Sequence, residues 1–185
     1  MRIIREEKIL NHHLTTKRLQ LHKISIADAP KLFRIWSDPE VTRYMNITRF
    51  NSEKEAEDMI AFLNELAKQE KAIRYSIFLK ESDELIGSCG FNSFDKENSI
   101  TEIGYDIAKE HWGNGYAPEA ITSLLETAFN VLEINRVEAK VEPENLHSIK
   151  VLEKLNFTYE GRLRHAEKSK GRFVDLNVYS RLKSD

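Results

Sequence analysis

The sequence has one cysteine, Cys89, so no disulfide can close within it and no cysteine-based zinc site can form. Two Asn-x-Thr sequons, at Asn46 and Asn156, are then most simply chance matches, since glycosylation needs a secretory route. No apolar run approaches the length that crosses a bilayer. The opening, Met1 to Lys8, carries acids where a signal peptide would be apolar. A cytoplasmic protein without membrane contact is expected. The six histidines show no H-x3-H pair, so no metal is expected either. Excess charge is also missing: 28 Lys and Arg against 30 Asp and Glu leave a net charge of -2, which removes the overall basic footprint of a nucleic-acid binder.

What is present suits a soluble globular protein. Hydrophobic residues at 41% and charged residues at 31% describe a globular chain, and 185 residues fit one domain with a substantial core. One unit spanning residues 1–185 is expected, with no repeat, low-complexity tract or composition break to divide it.

Glycine and proline are scarce, at seven and four, yet Gly113, Gly115 and Pro118 fall within six residues. The stretch is His111-Trp112-Gly113-Asn114-Gly115-Tyr116-Ala117-Pro118-Glu119-Ala120. Its glycines can take backbone angles closed to other residues, and Pro118 is tolerated only in a helix's first turn, so a helix must begin at about 116 to 118. The free N–H groups and positive dipole end of that helix suit a phosphate or pyrophosphate. The alternative is an ordinary strand-to-helix connection.

In chain order, Arg18 to Ile24 alternates as a half-buried strand, and Ser25 with Asp28 resembles a helix start. That helix should end at Asp38-Pro39, with a short helix possible at Val41 to Met45. Asn51 or Ser52 can cap a second helix running to about Lys68, with Glu53, Glu55 and Glu57 near its positive end. Ile73 to Leu79 and Leu85 to Phe91 read as a hairpin, and Ile100 to Ile107 as a third strand. Gly104 suggests a bulge or a close approach in that strand. After the glycine loop, Ala120, Ile121, Leu124, Leu125 and Ala128 give an apolar face that should pack on a sheet. Arg136 to Val141 is a strand, a helix starts near Asn145, and Phe157 to Leu163 and Phe173 to Leu182 are two strands flanking Gly171.

These pieces resemble the GCN5-related N-acetyltransferases (GNAT), and within them the RimJ and RimL group that acetylates ribosomal-protein N-termini. The resemblance covers roughly residues 15 to 182. It rests on Leu14 to Leu21, Glu102-Ile103-Gly104-Tyr105, Trp112 to Ala120, Asn145-Leu146-His147-Ser148, and Val151 to Phe157, in that order, with Glu160-Gly161 and Gly171 to Tyr179 completing the set. It implies an α/β fold with a twisted, mixed but mostly antiparallel sheet of about six to seven strands and helices on both faces. The family's pyrophosphate signature ends in Gly-x-Gly/Ala, matched by Gly115 and Ala117. Trp112 stands where Gln or Arg is usual, a departure shared by the RimJ and RimL group. Acetyl-CoA is therefore the implied donor. Its pyrophosphate would lie on the backbone of Trp112, Gly113, Asn114, Gly115, Tyr116 and Ala117, and its pantetheine arm along Tyr105, Asp106 and Ile107.

Acetyl transfer from a thioester to an amine needs a neutral amine, a stabilised oxyanion and a proton for the departing thiolate. Ser148 occupies the position of the RimL serine implied to protonate the sulfur; otherwise it is a first-turn serine bonded to backbone. Asn145 is an N-cap, a pantetheine contact, or both. Glu167 aligns with the RimL glutamate implied as the base, and Glu102 is its rival; a solvated turn carboxylate and a paired strand-face residue are the respective alternatives. The resemblance places the oxyanion on a backbone N–H near Ile107. His111 and His147 match no family role. Trp36, Tyr44, Met45 and Phe50 either line an acceptor site or belong to the core. The implied acceptor is a protein N-terminal amine, for a monomer or homodimer. A polyamine, aminoglycoside or amino-acid derivative, or a non-catalytic acyl-CoA-binding module, are the alternatives, and Glu53-Glu55-Glu57-Asp58 is the only dense acidic run.

Overall fold

The alternating stretch after Arg18 forms β2 (Leu19–Lys23), and the two-residue strand β1 (Leu14–Thr15) folds back along it. This description is of a computed structural model and covers residues 13–185; the Met1 to Lys8 segment, weighed above against a signal peptide, lies outside it. The strands β3 (Ile73–Leu79), β4 (Leu85–Asp95), β5 (Ile100–Ile107), β6 (Arg136–Val141), β7 (Thr158–Ser169) and β8 (Arg172–Leu182) complete one sheet. Among the described residues it has eight strands, in the order β1-β2-β3-β4-β5-β6-β8-β7. The short β1 accounts for the excess over the six to seven expected. Every neighbouring pair is antiparallel except β5 with β6.

Helices cover both faces. On one, α3 (Tyr116–Glu126) and α4 (Leu146–Lys154) bury Ala120, Ile121, Leu124 and Leu152 against Tyr75, Cys89, Ile103 and Ala139. On the other, α1 (Ala29–Trp36) and α2 (Glu53–Lys68) share a core with Leu85 and Ala108. The Ser25–Asp28 signal is a true capping box: the Ser25 N–H donates to the Asp28 carboxylate at 3.0 Å and Ser25 Oγ accepts from Ala27 N–H at 3.3 Å. It opens a 3-10 turn, Ile26–Asp28, from which α1 continues until Trp36, two residues before Asp38. Neither Asn51 nor Ser52 caps α2 by side chain. The Glu55 carboxylate instead reaches back to the Asn51 N–H at 3.1 Å.

Two irregularities shape the centre. The bulge expected at Gly104 lies on the partner strand, where register shifts between Phe91 and Ser93, and Gly104 pairs regularly with Gly90. Gly104 is instead the place of a close approach, since a Cβ there would sit 2.7 Å from the Asn92 side chain. The second irregularity is a splay. β5 pairs with β6 only from Ile100 to Glu102, and beyond Glu102 the two strands part. In the other direction, Ala108 N–H donates to Ile86 O at 2.8 Å, so by the alternation of an antiparallel ladder the backbone groups of Tyr105 and Ile107 face away from β4, into the opening.

Candidate active site

The splay and the glycine loop border one cleft of about 1130 Å³. The loop begins with a 3-10 turn, Lys109–His111, and passes through Gly113 (φ 77°) and Gly115 (φ 78°), both in the left-handed region. Gly115 is the N-cap of α3, and Pro118 is its third residue, where no N–H partner is lost. The helix therefore starts inside the expected window. Trp112 closes the loop onto the strand, because its indole N–H donates to the Ile107 carbonyl at 2.7 Å.

A long-range latch holds the loop from behind. Glu119 accepts hydrogen bonds from Thr16 Oγ1 (2.6 Å), the Arg18 backbone N–H (2.7 Å) and Arg18 Nε (2.7 Å). The Arg18 guanidinium also donates to the Asn114 carbonyl at 3.0 Å and lies 4.5 Å from the Tyr116 ring centroid. Burial would raise the Glu119 carboxyl, but the bonds from Thr16 and Arg18 outweigh it and hold the group below its ordinary range. Glu119 is thus spent on positioning the loop.

Tyr105, Asp106, Ile107, Trp112, Gly113, Gly115, Tyr116, Ala117 and Asn145 all line the cleft. Asn114 does not; its amide bonds back to the carbonyls of His111 and Trp112. The Asp106 carboxylate turns to the α1 side, where it accepts from Arg74 (2.9 Å), Ser88 and Trp36 Nε1 (3.3 Å). Its side chain is therefore engaged by three donors on the far side of the sheet, and its backbone does the lining.

Across the splay, Asn145 caps α4 by accepting the Ser148 N–H on Oδ1 at 3.2 Å. The Ser148 hydroxyl takes no part in that cap and stands 2.6 Å from the Tyr105 hydroxyl. Burial pushes the Tyr105 phenol up to about 12, against an opposing pull from the Ser148 bond. The cleft joins these two hydroxyls to a group of carboxylates. Glu102 is bound by Lys140 at 2.7 Å and by Asn92 at 3.3 Å, the paired arrangement weighed for it above. Glu167 is not in a turn: it lies half-buried on β7 opposite Val174. Between Leu163 and Glu167 the register gains two residues on β7, with His165 at φ 48° and its N–H on Asp175, and this wide bulge carries Ala166 and Glu167 to the cleft. Among the described residues the Glu167 carboxylate makes no hydrogen bond or ion pair.

Glu142 is a cleft carboxylate that sequence reasoning missed. It follows β6 directly, is 6% exposed, meets Arg172 at 3.2 Å, and has its carboxyl raised by burial. Only its place before Pro143 at a strand end hinted at it. Lys170, at the tip of the β7–β8 hairpin, donates to the carbonyls of Thr42 (2.5 Å) and Arg43 (2.9 Å), tying the hairpin to the short helix expected between Val41 and Met45, a single 3-10 turn at Thr42–Tyr44. Tyr44, its last residue, and Met45, which follows it, line the cleft, whereas Phe50 is core and packs edge-on against Trp36, which is buried yet reaches the cleft wall. His111 pairs with Glu84, and His147 lies 6.0 Å from the Trp112 ring.

Residues 18–158 match the model of the acetyltransferase (GNAT) domain. The chain belongs to the GNAT acetyltransferases. It is 52% identical to the uncharacterized N-acetyltransferase p20 of Bacillus licheniformis over 93% of this chain and 97% of that one. It is 26% identical to the ribosomal-protein-serine acetyltransferase of Escherichia coli over 90% and 94%. The GNAT fold is also seen in RimL, the ribosomal L7/L12 α-N-protein acetyltransferase solved with coenzyme A: TM-score 0.85 at 22% identity, covering 94% of this chain and 100% of that one. The protein is thus an acetyl-transferring enzyme of N-acetyltransferase type. No helix among the described residues is long and apolar enough to cross a membrane.

Proposed function

We propose that this GNAT enzyme moves the acetyl group of acetyl-CoA to a protein N-terminal α-amine, such as that of a ribosomal protein, in the cytoplasm. The observation that carries the reading is the opened strand facing a capped helix start: β5 leaves β6 after Glu102, and Ser148 stands across the gap beside Tyr105. The residues fit the donor. The glycine loop and the first N–H groups of α3 suit a pyrophosphate, and the backbone of Tyr105 to Ile107 suits the amides of a pantetheine arm. A backbone N–H at Ile107 would meet the developing oxyanion, and Ser148 would give its proton to the departing sulfur.

Glu167 is the better base, since its carboxylate is unpaired and borders the cleft, while that of Glu102 is committed to Lys140. The relationship to the ribosomal-protein-serine acetyltransferase supports a protein acceptor. Incubation with acetyl-CoA and N-terminal peptides should release free thiol and acetylate the α-amine; peptides blocked at that amine should release none. A second reading has an observation behind it: Glu102 from β5, Glu142 and Glu144 from the β6–α4 connection, and Glu167 from β7 converge on the cleft, which suits a small polycationic amine. Faster thiol release with a polyamine than with any peptide would select it.

A further inference from the structure

The Ser148 hydroxyl has one proton to give, and a serine early in a helix commonly engages its own backbone. Here the two functions are separated. Asn145 takes the Ser148 N–H, and the hydroxyl has one hydrogen-bond partner among the described residues, the Tyr105 hydroxyl at 2.6 Å. The Ser148 carbonyl, 3.5 Å from the same Tyr105 oxygen, is at the outer limit of bonding and competes poorly. Tyr105 is rigidly based: it stands on β5 opposite the fully buried Cys89, on the sheet face covered by α3 and α4.

We propose that Tyr105 is the positioning residue that aims the Ser148 proton at the departing sulfur. This rests on the acetyl-transfer reading above. The Tyr105 O–H donates to Ser148 Oγ, filling one lone pair and leaving the serine's own O–H to turn into the cleft. As the amine nitrogen bonds to the carbonyl carbon and the C–S bond breaks, that proton passes to sulfur. The Tyr105 bond stabilises the negative charge that grows on Oγ, and the serine regains its proton through cleft water from Glu167, which takes the proton lost by the amine. A phenol held up near 12 remains a donor throughout the neutral range.

The test is a double-mutant cycle on Tyr105→Phe and Ser148→Ala, read as single-turnover rate and acetyl-CoA KM. Phenylalanine keeps the ring and removes only the donor. Ser148→Ala should lower the rate about 100-fold and Tyr105→Phe about 10-fold, both at unchanged KM. In the Ser148→Ala background the Tyr105 change should cost nothing further, because there is no proton left to aim. Equal losses in both backgrounds would mark Tyr105 as merely structural, and a wild-type rate in Tyr105→Phe would overturn the proposal outright. A wild-type rate in Ser148→Ala would remove its premise. Absence of turnover by the unaltered protein with every amine would instead defeat the acetyl-transfer reading itself.

Discussion

Three of the cleft glutamates, Glu102, Glu167 and Glu142, have different surroundings, and those surroundings fit them to different tasks. Glu102 is neutralised by Lys140, whose own ammonium is raised mainly by that bond. Glu167 is unpaired among the described residues, which is why the proposed reaction gives it the base's part. Glu167→Gln should therefore lower kcat by about 100-fold or more, while Glu102→Gln should retain most activity. Steady-state rates of the two variants across pH 6 to 9 would check this; the reverse order would transfer the role to Glu102. Glu142 is the costly member. Its carboxyl is raised in the folded state by burial, so its contribution to stability is present below the ordinary carboxylate range and is lost as pH rises through the folded value. Glu142→Gln should accordingly flatten the fall in Tm between pH 4 and pH 8, measurable by thermal melts.

At the scale of elements, the loop and α3 act as one part because Glu119 binds Thr16 and Arg18. Glu119→Gln should raise the KM for acetyl-CoA roughly 10-fold at nearly unchanged kcat, since a bond to a charged group is worth about 1.5 kcal/mol or more. An unchanged KM would show that the loop keeps its shape without the latch. The loop itself was legible because Gly113, Gly115 and Pro118 each have only one economical use near a helix start. Its latch was not, because Glu119 and Arg18 lie 101 residues apart and no periodicity joins them. Likewise Gly104 correctly signalled a close approach, but the bulge belongs to Asn92, and one strand's sequence does not tell which partner bulges. The strand expected to stop at Leu163, short of Glu167, runs on to Ser169 for a related reason: β7 holds its pairing past Leu163 by absorbing two extra residues, which breaks the alternation that marks a strand. The helix start at Asn145 and the first-turn place of Ser148 were readable from capping chemistry, whereas the role proposed for the Ser148 hydroxyl came from the family resemblance and its partner was not readable at all.

At the scale of the molecule, the sheet opens on one side of β6 and is clamped on the other. Arg136 on β6 binds Glu138 at 2.8 Å and forks onto Glu160 of β7, which also accepts from Ser180 of β8 at 2.8 Å. The clamp sits at the end of β6 still paired with β5, so it fixes the strands where the splay begins. These bonds, led by Arg136, hold Glu160 down to about 2. A depressed carboxyl contributes stability above its ordinary range that is lost as pH falls through the folded value. Glu160→Gln should thus lower Tm at pH 5, by the equivalent of ~1 kcal/mol or less because the pair is partly exposed, and the difference should vanish toward pH 2. A gap that persisted at pH 2 would mean the clamp works by packing and not by charge.

The account turns on one reaction. Mixed with acetyl-CoA and a peptide bearing a free α-amine, the protein should release one thiol for each acetyl group found on that amine by mass spectrometry. Thiol release absent with every amine, or acetyl groups found only on small polyamines, would contradict it.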